Sequence, residues 1–582
     1  MSSERLSAKI AELSKFTWSI ADTLWTAFSK SDVRDFILPL MVLRRLDCLL
    51  EGSKKEVLTV AESLSADVNP AMRDRHLFKA TGLGLKVYNT SPFTFAELRN
   101  QDPTHLFENL VDYINGFPEF LQDVFIARFN LPTKMRKIAE KDKLFGVFEK
   151  ICEMDLHPDR VSNLEMGYVY EDLIQKFNEE ANEDAGDHYT PREVVRLIAK
   201  LLLNNDREAI QGEGIVRTFY DGTCGTGGML SVAEEEAREI NPSMSVELYG
   251  QQLKDDSYAV CVTDMLLKGQ DPTRIKLGDT LKNDMHADKK FHFCMANPPY
   301  GSEWKDAKAI VEAEHKDKGF SGRFGAGLPR VSDGQLLFVQ HFASKLRDDE
   351  VGGRAGIVLN GSPLFSGGAG SGESEIRRWL LENDLLEGII ALPTDMFYNT
   401  GIATYIWILN NRKPASRQGK VRLLNAGGEE FWTPMRKSLG SKRKEMPTSA
   451  VLQIASLFYT DAISEYVKDV DTSHFGYLSI TVEHPLLNEA GQPILKKGKL
   501  AANSETRDVE IIPLNSDPKE YLREEVLPHA PNAWIDDTKT KVGYEINFSK
   551  FFSIKSDKRE LTEIDADIKE LTAQLLCNLG VN

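Results

Sequence analysis

From about residue 185 the hydrophobic period switches repeatedly between two and 3.6, and this alternation constrains the fold more than any other feature of the chain. Ile215–Tyr220, Val246–Tyr249, Arg274–Leu277, Phe291–Ala296, Ala355–Leu359 and Gly388–Leu392 read as strands. Between them a helix opens at Met229, and Asp256–Leu267, Gln335–Leu346 and Glu375–Glu382 read as helices. Strands that alternate with helices bury both faces of a shared sheet, so the expected class is α/β, an open and mostly parallel sheet with helices on both faces. Thr404–Leu409 and Lys420–Leu424, joined by a Lys/Pro/Gly turn, predict an antiparallel hairpin that closes it.

The flanks differ. A chain of 582 residues exceeds one core, which implies two or three domains. Leu6, Ile10, Leu13, Phe16, Ile20 and Leu24 recur at three-to-four spacing, and the reading is a helical N-terminal domain over 1–170. Phe36–Leu50 is continuously apolar, a buried helix interrupted or started near Pro39. The sheet domain is expected over 171–425 and a C-terminal extension over 426–582. Within that extension, 480–540 is rich in Pro, Asn, Asp and Lys and reads as an irregular excursion. Leu561, Ile564, Ile568, Leu571 and Leu575 form two heptads of a terminal helix near 558–579, which docks either on a partner or within the chain.

Composition removes some classes. No apolar run is long enough to span a bilayer, and MSSERLSAKIAEL lacks a signal-peptide core. The six cysteines, at 48, 152, 224, 261, 294 and 577, form no CxxC pair, so neither a metal site nor a disulfide framework is expected, and a reducing cytoplasm fits. The net charge is −17, so any polyanionic ligand needs a local basic strip or a basic partner. Two strips exist, Lys437, Lys442, Arg443 and Lys444, and Lys496, Lys497 and Lys499; either also reads as a solvated face.

Asp221-Gly222-Thr223-Cys224-Gly225-Thr226-Gly227-Gly228 lies between a strand and a helix. Glycines allow a tight turn and close approach to a ligand, and the helix start offers free N–H groups. No Gly-Lys-Ser/Thr follows, which excludes a phosphate-binding P-loop. A tight turn alone would explain such a run.

A second motif, Asn297-Pro298-Pro299-Tyr300, follows the apolar strand at Phe291–Ala296. Two prolines stiffen the strand end and hold the preceding residue extended. The Asn297 side-chain oxygen and the Pro298 carbonyl then stand as rigid acceptors for an amine with two hydrogens, and Tyr300 offers a ring to stack on its base. A proline turn capping a strand is the bland alternative, but it does not explain the Gly-rich loop upstream.

Together the two motifs resemble the amino-methyltransferases, in which the Gly-rich loop holds S-adenosylmethionine and Asn-Pro-Pro-Tyr holds the target nitrogen. Gly186-Asp187-His188-Tyr189-Thr190-Pro191-Arg192-Glu193 is similar to the segment preceding that loop in the modification subunits of type I restriction–modification systems. Physically, Thr190, Pro191 and Glu193 also make a helix start with a capping box. Leu277-Gly278-Asp279-Thr280-Leu281, the stretch from Ser332-Asp333-Gly334 through Gly356-Ile357-Val358-Leu359, Leu392-Pro393, Phe397–Ile402, Trp18-Ser19-Ile20-Ala21 and Leu43–Asp47 resemble the same subunits. The resemblance implies a cofactor site of Tyr189, Thr190, Pro191, Asp221, Thr223, Gly225, Gly227, Gly228, Gln252 and Asp279, and a catalytic set of Asn297, Pro298, Pro299 and Tyr300. Three positions depart from it. Gln252 stands where an acidic residue is expected to hold the ribose hydroxyls, Gly222 where proline is frequent, and His292 where Asp is common.

The implied chemistry is methylation of adenine N6 in DNA. The target base must leave the duplex, with Tyr300 its stacking partner and Phe397 or Tyr398 on the other face. Positioning dominates such an in-line displacement, so no catalytic His or Cys is expected. The absence of any Pro-Cys dipeptide argues against attack on cytosine carbon through a thiolate. Gly301–Arg330, polar and Gly-rich, reads as a mobile loop over DNA. By resemblance the helical N-terminal domain embraces DNA or binds subunits, a specificity subunit reads sequence, two copies of this chain flank it, and a motor-nuclease subunit cleaves. The same motifs also serve methylation of a protein glutamine or of RNA. A silent assembly subunit is the rival of another class.

Overall fold

A computed structural model describes residues 3–65, 67–181, 190–204, 209–398, 400–460, 463–489, 491–496 and 498–552, together with 565, 568, 569 and 572. At its centre is a sheet built, in chain order, from β1 (Val216–Asp221), β2 (Ser245–Gln252), β3 (Ile275–Leu277), β4 (Phe293–Ala296), β5 (Arg354–Asn360), β6 (Leu386–Ala391), β7 (Thr404–Asn410) and β8 (Lys420–Asn425). Two further strands, β9 (Thr433–Leu439) and β10 (Lys442–Glu445), pair only with each other, and β11 (Val467–Asp471) returns to the edge beyond β8. Across the sheet the order is β3-β2-β1-β4-β5-β7-β6-β8-β11. The pairs from β3 to β5 are parallel, as is β6 with β8, whereas β7 runs against both β5 and β6.

The period-two alternation sends neighbouring residues to opposite layers. Phe219, Phe293, Met295, Val358 and Ile390 face one core, which they share with helices Arg192–Asn204, Gly228–Ile240, Asp255–Leu267 and Thr448–Tyr459. Tyr220, Cys294, Ala296, Ile357 and Ile389 face the other, packed under helices Lys308–Lys318, Gln335–Lys345 and Gly372–Glu382. The expected α/β sheet with helices on both faces is therefore the observed one.

The expected closing hairpin is not. Thr404–Leu409 and Lys420–Leu424 do not pair; β7 inserts between β5 and β6, and β8 lies parallel to β6. Burial explains it. Ile406, Trp407, Ile408 and Leu409 are all fully buried, and a strand that is apolar on both faces is more stable in the sheet interior than at its margin.

The N-terminal region is helical, as read. Helix Ser3–Trp25 and helix Lys30–Leu50 pack with helix Asn163–Ala181, and their apolar faces merge into the first core. Ser29 caps the second helix by accepting from the Asp32 N–H at 3.1 Å, and the helix continues through Pro39 rather than breaking there.

Residues 480–540 also differ from expectation. After β12 (Gly476–Glu483), a small β13–β14 ribbon (Leu495–Lys496 and Lys499–Leu500) precedes β15 (Asp508–Pro513), β16 (Trp534–Ile535) and β17 (Lys541–Tyr544). β12 pairs antiparallel with β15 on one side and with β16 and β17 on the other. Ile480, Val482 and Ile512 supply its buried positions, while Pro, Asn and Asp gather in the connections. The terminal helix expected near 558–579 falls almost wholly outside the described residues.

Candidate active site

The chain leaves β1 towards β2 and β3 on one side, then returns to β4 on the other. Such a reversal opens a crevice at the carboxyl ends of the parallel strands. Asp221 ends β1, Gln252 ends β2, Asp279 lies just after β3 and Asn297 just after β4, so the topology brings the four to one edge.

At the end of β1 the Asp221 carboxyl is 1% exposed, and its Oδ1 accepts from the Thr223 N–H at 2.9 Å and the Thr223 hydroxyl at 3.3 Å. Burial outweighs those bonds and pushes the carboxyl up to about 7. The loop turns through left-handed backbone at Gly225 (φ 52°) and Gly227 (φ 88°), and Gly228 opens helix Gly228–Ile240. A Cβ on Gly227 would stand 2.8 Å from the Cys261 sulfur. The loop thus lies directly on helix Asp255–Leu267.

Gln252 is 7% exposed, and its Oε1 accepts from the Gly225 N–H at 3.3 Å, tying β2 to the loop. Its own carbonyl accepts from the Gly278 N–H at 2.8 Å, which holds the segment carrying Asp279. Asp279 spends Oδ1 on the N–H groups of Leu281 and Lys282, at 2.9 and 3.3 Å, and stays partly exposed. Gly250, which the sequence reading passed over, matters equally: a Cβ there would lie 2.9 Å from Ile275 Cδ1 and 3.0 Å from the Cys224 sulfur. A glycine inside a strand pattern was the available signal.

On the β4 side, Asn297 is partly buried, Pro298 buried, Pro299 exposed and Tyr300 partly buried. The Asn297 amide nitrogen donates to the Thr190 hydroxyl at 3.0 Å, and the Tyr300 hydroxyl donates to Asn297 Oδ1 at 2.6 Å. The Tyr300 ring meets Phe397 edge to face, centroids 6.3 Å apart. Thr190 and Pro191 lead into helix Arg192–Asn204, whose first turn closes as the Val194 N–H donates to the Pro191 carbonyl at 2.9 Å. The capping box expected there does not form. The Thr190 hydroxyl serves Asn297, and the Glu193 carboxylate pairs with Lys442. Tyr189 lies outside the described residues.

Other residues are structural. His292 Nδ1 lies 2.9 Å from the Thr218 hydroxyl, and Nε2 lies 3.0 Å from Arg347; burial and the neighbouring Arg347 and Arg217 push its pKa down to about 4. Gly301–Arg330 is not a bare loop. It carries helix Lys308–Lys318, and Arg323 binds Glu314 at 2.7 Å while donating to the Thr280 and Leu281 carbonyls at 2.6 and 2.9 Å. Among the described residues no group of three or more His, Cys, Asp or Glu is placed to hold a metal ion, and no helix is long and apolar enough to cross a membrane.

Comparison with known proteins supplies the family. The model of the family described as N-6 DNA Methylase matches residues 162–478, and that of the HsdM N-terminal domain matches residues 13–151. The chain is 26% identical over 421 residues to the type I restriction enzyme MjaIX methylase subunit of Methanocaldococcus jannaschii, covering 70% of this chain and 71% of that one. It is 30% identical over 329 residues to the MjaVII methylase subunit of the same organism, covering 52% of this chain and 51% of that one. Among solved structures, the type I restriction-modification system methyltransferase subunit from Streptococcus thermophilus superposes with a TM-score of 0.60 at 21% identity, over 80% of this chain and 96% of the other, a likeness of fold.

Proposed function

The chain belongs to the N-6 DNA Methylase family, and from that premise we propose that it methylates adenine N6 in DNA as the modification subunit of a type I restriction–modification system. The observation that carries this reading is the Asn297 side chain, held by Thr190 at one end and Tyr300 at the other, at the mouth of the crevice.

The crevice fits S-adenosylmethionine. Gly225 and Gly227 let the loop turn tightly through left-handed backbone, and the buried Asp221 carboxyl stands ready to ionise beside a cationic ligand. Thr190, Pro191, Asp221, Thr223, Gly225, Gly227, Gly228, Gln252 and Asp279 would hold it, with Tyr189 assigned by resemblance alone. Gln252 would meet the ribose hydroxyls as a neutral partner, weaker than a carboxylate. When bound, the cofactor supplies a methyl group on a sulfonium centre. Everything else is positioning by the chain. Asn297 Oδ1 and the Pro298 carbonyl accept the two amine hydrogens of the target base, which favours a pyramidal nitrogen with a more available lone pair. Tyr300 swings its ring onto the base, and Phe397 buttresses it.

The names of the relatives, all methylase subunits of type I restriction enzymes, support a division of labour. A specificity subunit reads the DNA sequence, two copies of this chain flank it, and a motor-nuclease subunit joins for restriction, all in the cytoplasm. The net charge of −17 agrees with delegated DNA reading.

The test is transfer of labelled methyl from S-adenosylmethionine to unmethylated DNA, with and without the specificity subunit, for the wild type and Asn297→Ala. N6-methyladenine that needs the partner and vanishes in the variant is the expected result. Cofactor binding without label in DNA sinks the reading and turns attention to protein or RNA acceptors, or to a silent assembly role.

A further inference from the structure

The basic strip at 436–444 folds into a hairpin beside the catalytic pocket. In 433–445 the charged residues are Arg436, Lys437, Lys442, Arg443, Lys444 and Glu445, whereas the chain overall has 71 Lys and Arg against 88 Asp and Glu. A solvated face in an acidic protein ordinarily interleaves both signs. This one does not.

Its attachment is specific. The Ser441 N–H donates to the Tyr398 carbonyl at 2.7 Å, and the Arg443 and Lys444 N–H groups donate to the Asp395 carbonyl at 2.9 and 3.2 Å. The hairpin therefore rests on the segment that sets Phe397 against Tyr300. Lys442, 3% exposed, points inward to the Glu193 carboxylate and over the Tyr398 ring at 5.2 Å. Glu193 lies in the helix start that follows Thr190, so one peg locks the hairpin to the element holding Asn297.

Arg436 and Arg443 are exposed, and Arg443 occupies the irregular interval between the pairs Lys442–Leu439 and Lys444–Pro434, with Arg436 on the facing strand of that interval. Lys444 sits 4.0 Å from the centre of the Trp432 ring and donates to the Thr394 hydroxyl at 3.3 Å, which aims it rather than neutralises it. Among the described residues none of the three forms an ion pair with a carboxylate.

We propose that the β9–β10 hairpin grips the DNA backbone beside the target base, with Arg436, Arg443 and Lys444 on successive phosphates and Lys442 as the buried peg. The inference rests on the reading that DNA is the substrate. An acidic protein repels a duplex over most of its surface, so the phosphates flanking a flipped base need a local cationic hold. A ribbon with long cationic side chains meets that need without reading sequence.

The experiment uses the full chain with its specificity subunit and an unmethylated duplex, followed by fluorescence anisotropy across a salt series. R436A/R443A/K444A is expected to weaken DNA binding at least about tenfold and to lower the slope of log K against log salt by about two to three, roughly one per lost phosphate contact. The loss should fall on KM for DNA rather than on kcat, and R436K/R443K should keep the slope. An unchanged slope overturns the proposal, as does a variant that loses the specificity subunit on gel filtration instead of DNA. Those outcomes leave the functional reading standing if the wild type still methylates DNA. A wild type that transfers no methyl to DNA removes both.

Discussion

The Asn297 amide nitrogen donates to the Thr190 hydroxyl at 3.0 Å, joining residues 107 apart in the chain. Because that bond takes the nitrogen, the amide oxygen is turned towards Tyr300 and the crevice. Thr190→Val removes the acceptor while keeping the side-chain shape. The amide is then held by Tyr300 alone, and kcat should fall about fivefold to tenfold, the worth of one ordinary hydrogen bond of about 1 kcal/mol. Thr190→Ser should recover most of it. Full kcat in Thr190→Val, with a loss in Thr190→Ser, would show that the methyl group, not the hydroxyl, matters.

Gly227 tests the proposed cofactor loop. Its φ of 88° disfavours any other residue, and a Cβ would press on the Cys261 sulfur at 2.8 Å. Gly227→Ala should weaken S-adenosylmethionine binding by an order of magnitude or more, from backbone strain of about 1–2 kcal/mol plus the contact. Adding Cys261→Ala relieves only the contact, so calorimetry should show partial recovery. Full-strength binding by the single variant would mean the loop does not set cofactor affinity.

Asp221 links stability to pH. Its folded-state pKa is raised by burial to about 7, so the folded protein holds a proton that the unfolded chain releases in the ordinary carboxylate range. The stability this confers is fully present below that range and is lost as pH rises to about 7, at up to about 1.4 kcal/mol per unit. In urea unfolding from pH 4 to pH 8, the wild type should lose stability relative to Asp221→Asn. Parallel pH profiles would show that Asp221 titrates normally in the fold.

Arg354 is buried at the start of β5. It donates at 2.7 Å to the carbonyls of Leu201 and Leu202 and to Glu387, and at 2.6 Å to the Tyr459 hydroxyl. Removing it leaves the buried carboxylate with the Asn410 amide at 3.2 Å and, among the described residues, no partner for Oε1. Arg354→Met should cost about 3–5 kcal/mol in urea unfolding, and Arg354→Met with Glu387→Leu should cost less. A double variant as unstable as the single would place the loss in the carbonyl contacts instead.

Much of the candidate site was legible because its turns are local. Asp221 to Gly228 had to turn tightly between a strand and a helix, and Asn297 to Tyr300 had to end one, so their neighbours in sequence are their neighbours in space. The basic strip was visible too, but Lys442 looked the same as Arg443. Only the fold sends one inward to Glu193 and leaves the other exposed.

Periodicity determined most of the strands and helices of the central sheet, and therefore the α/β class, because alternation of burial is written into each segment separately. It did not determine which strand lies beside which. Thr404–Asn410 and Lys420–Asn425 are adjacent in the chain yet sit apart in the sheet, since the buried faces of the first find better cover between β5 and β6. Thr190 followed the same rule. As sequence it is a helix cap; in the fold its hydroxyl meets Asn297, because β4 ends beside the helix that Thr190 precedes. Partners across long separations depend on how layers pack, a free energy summed over the whole core, and no local pattern carries that sum.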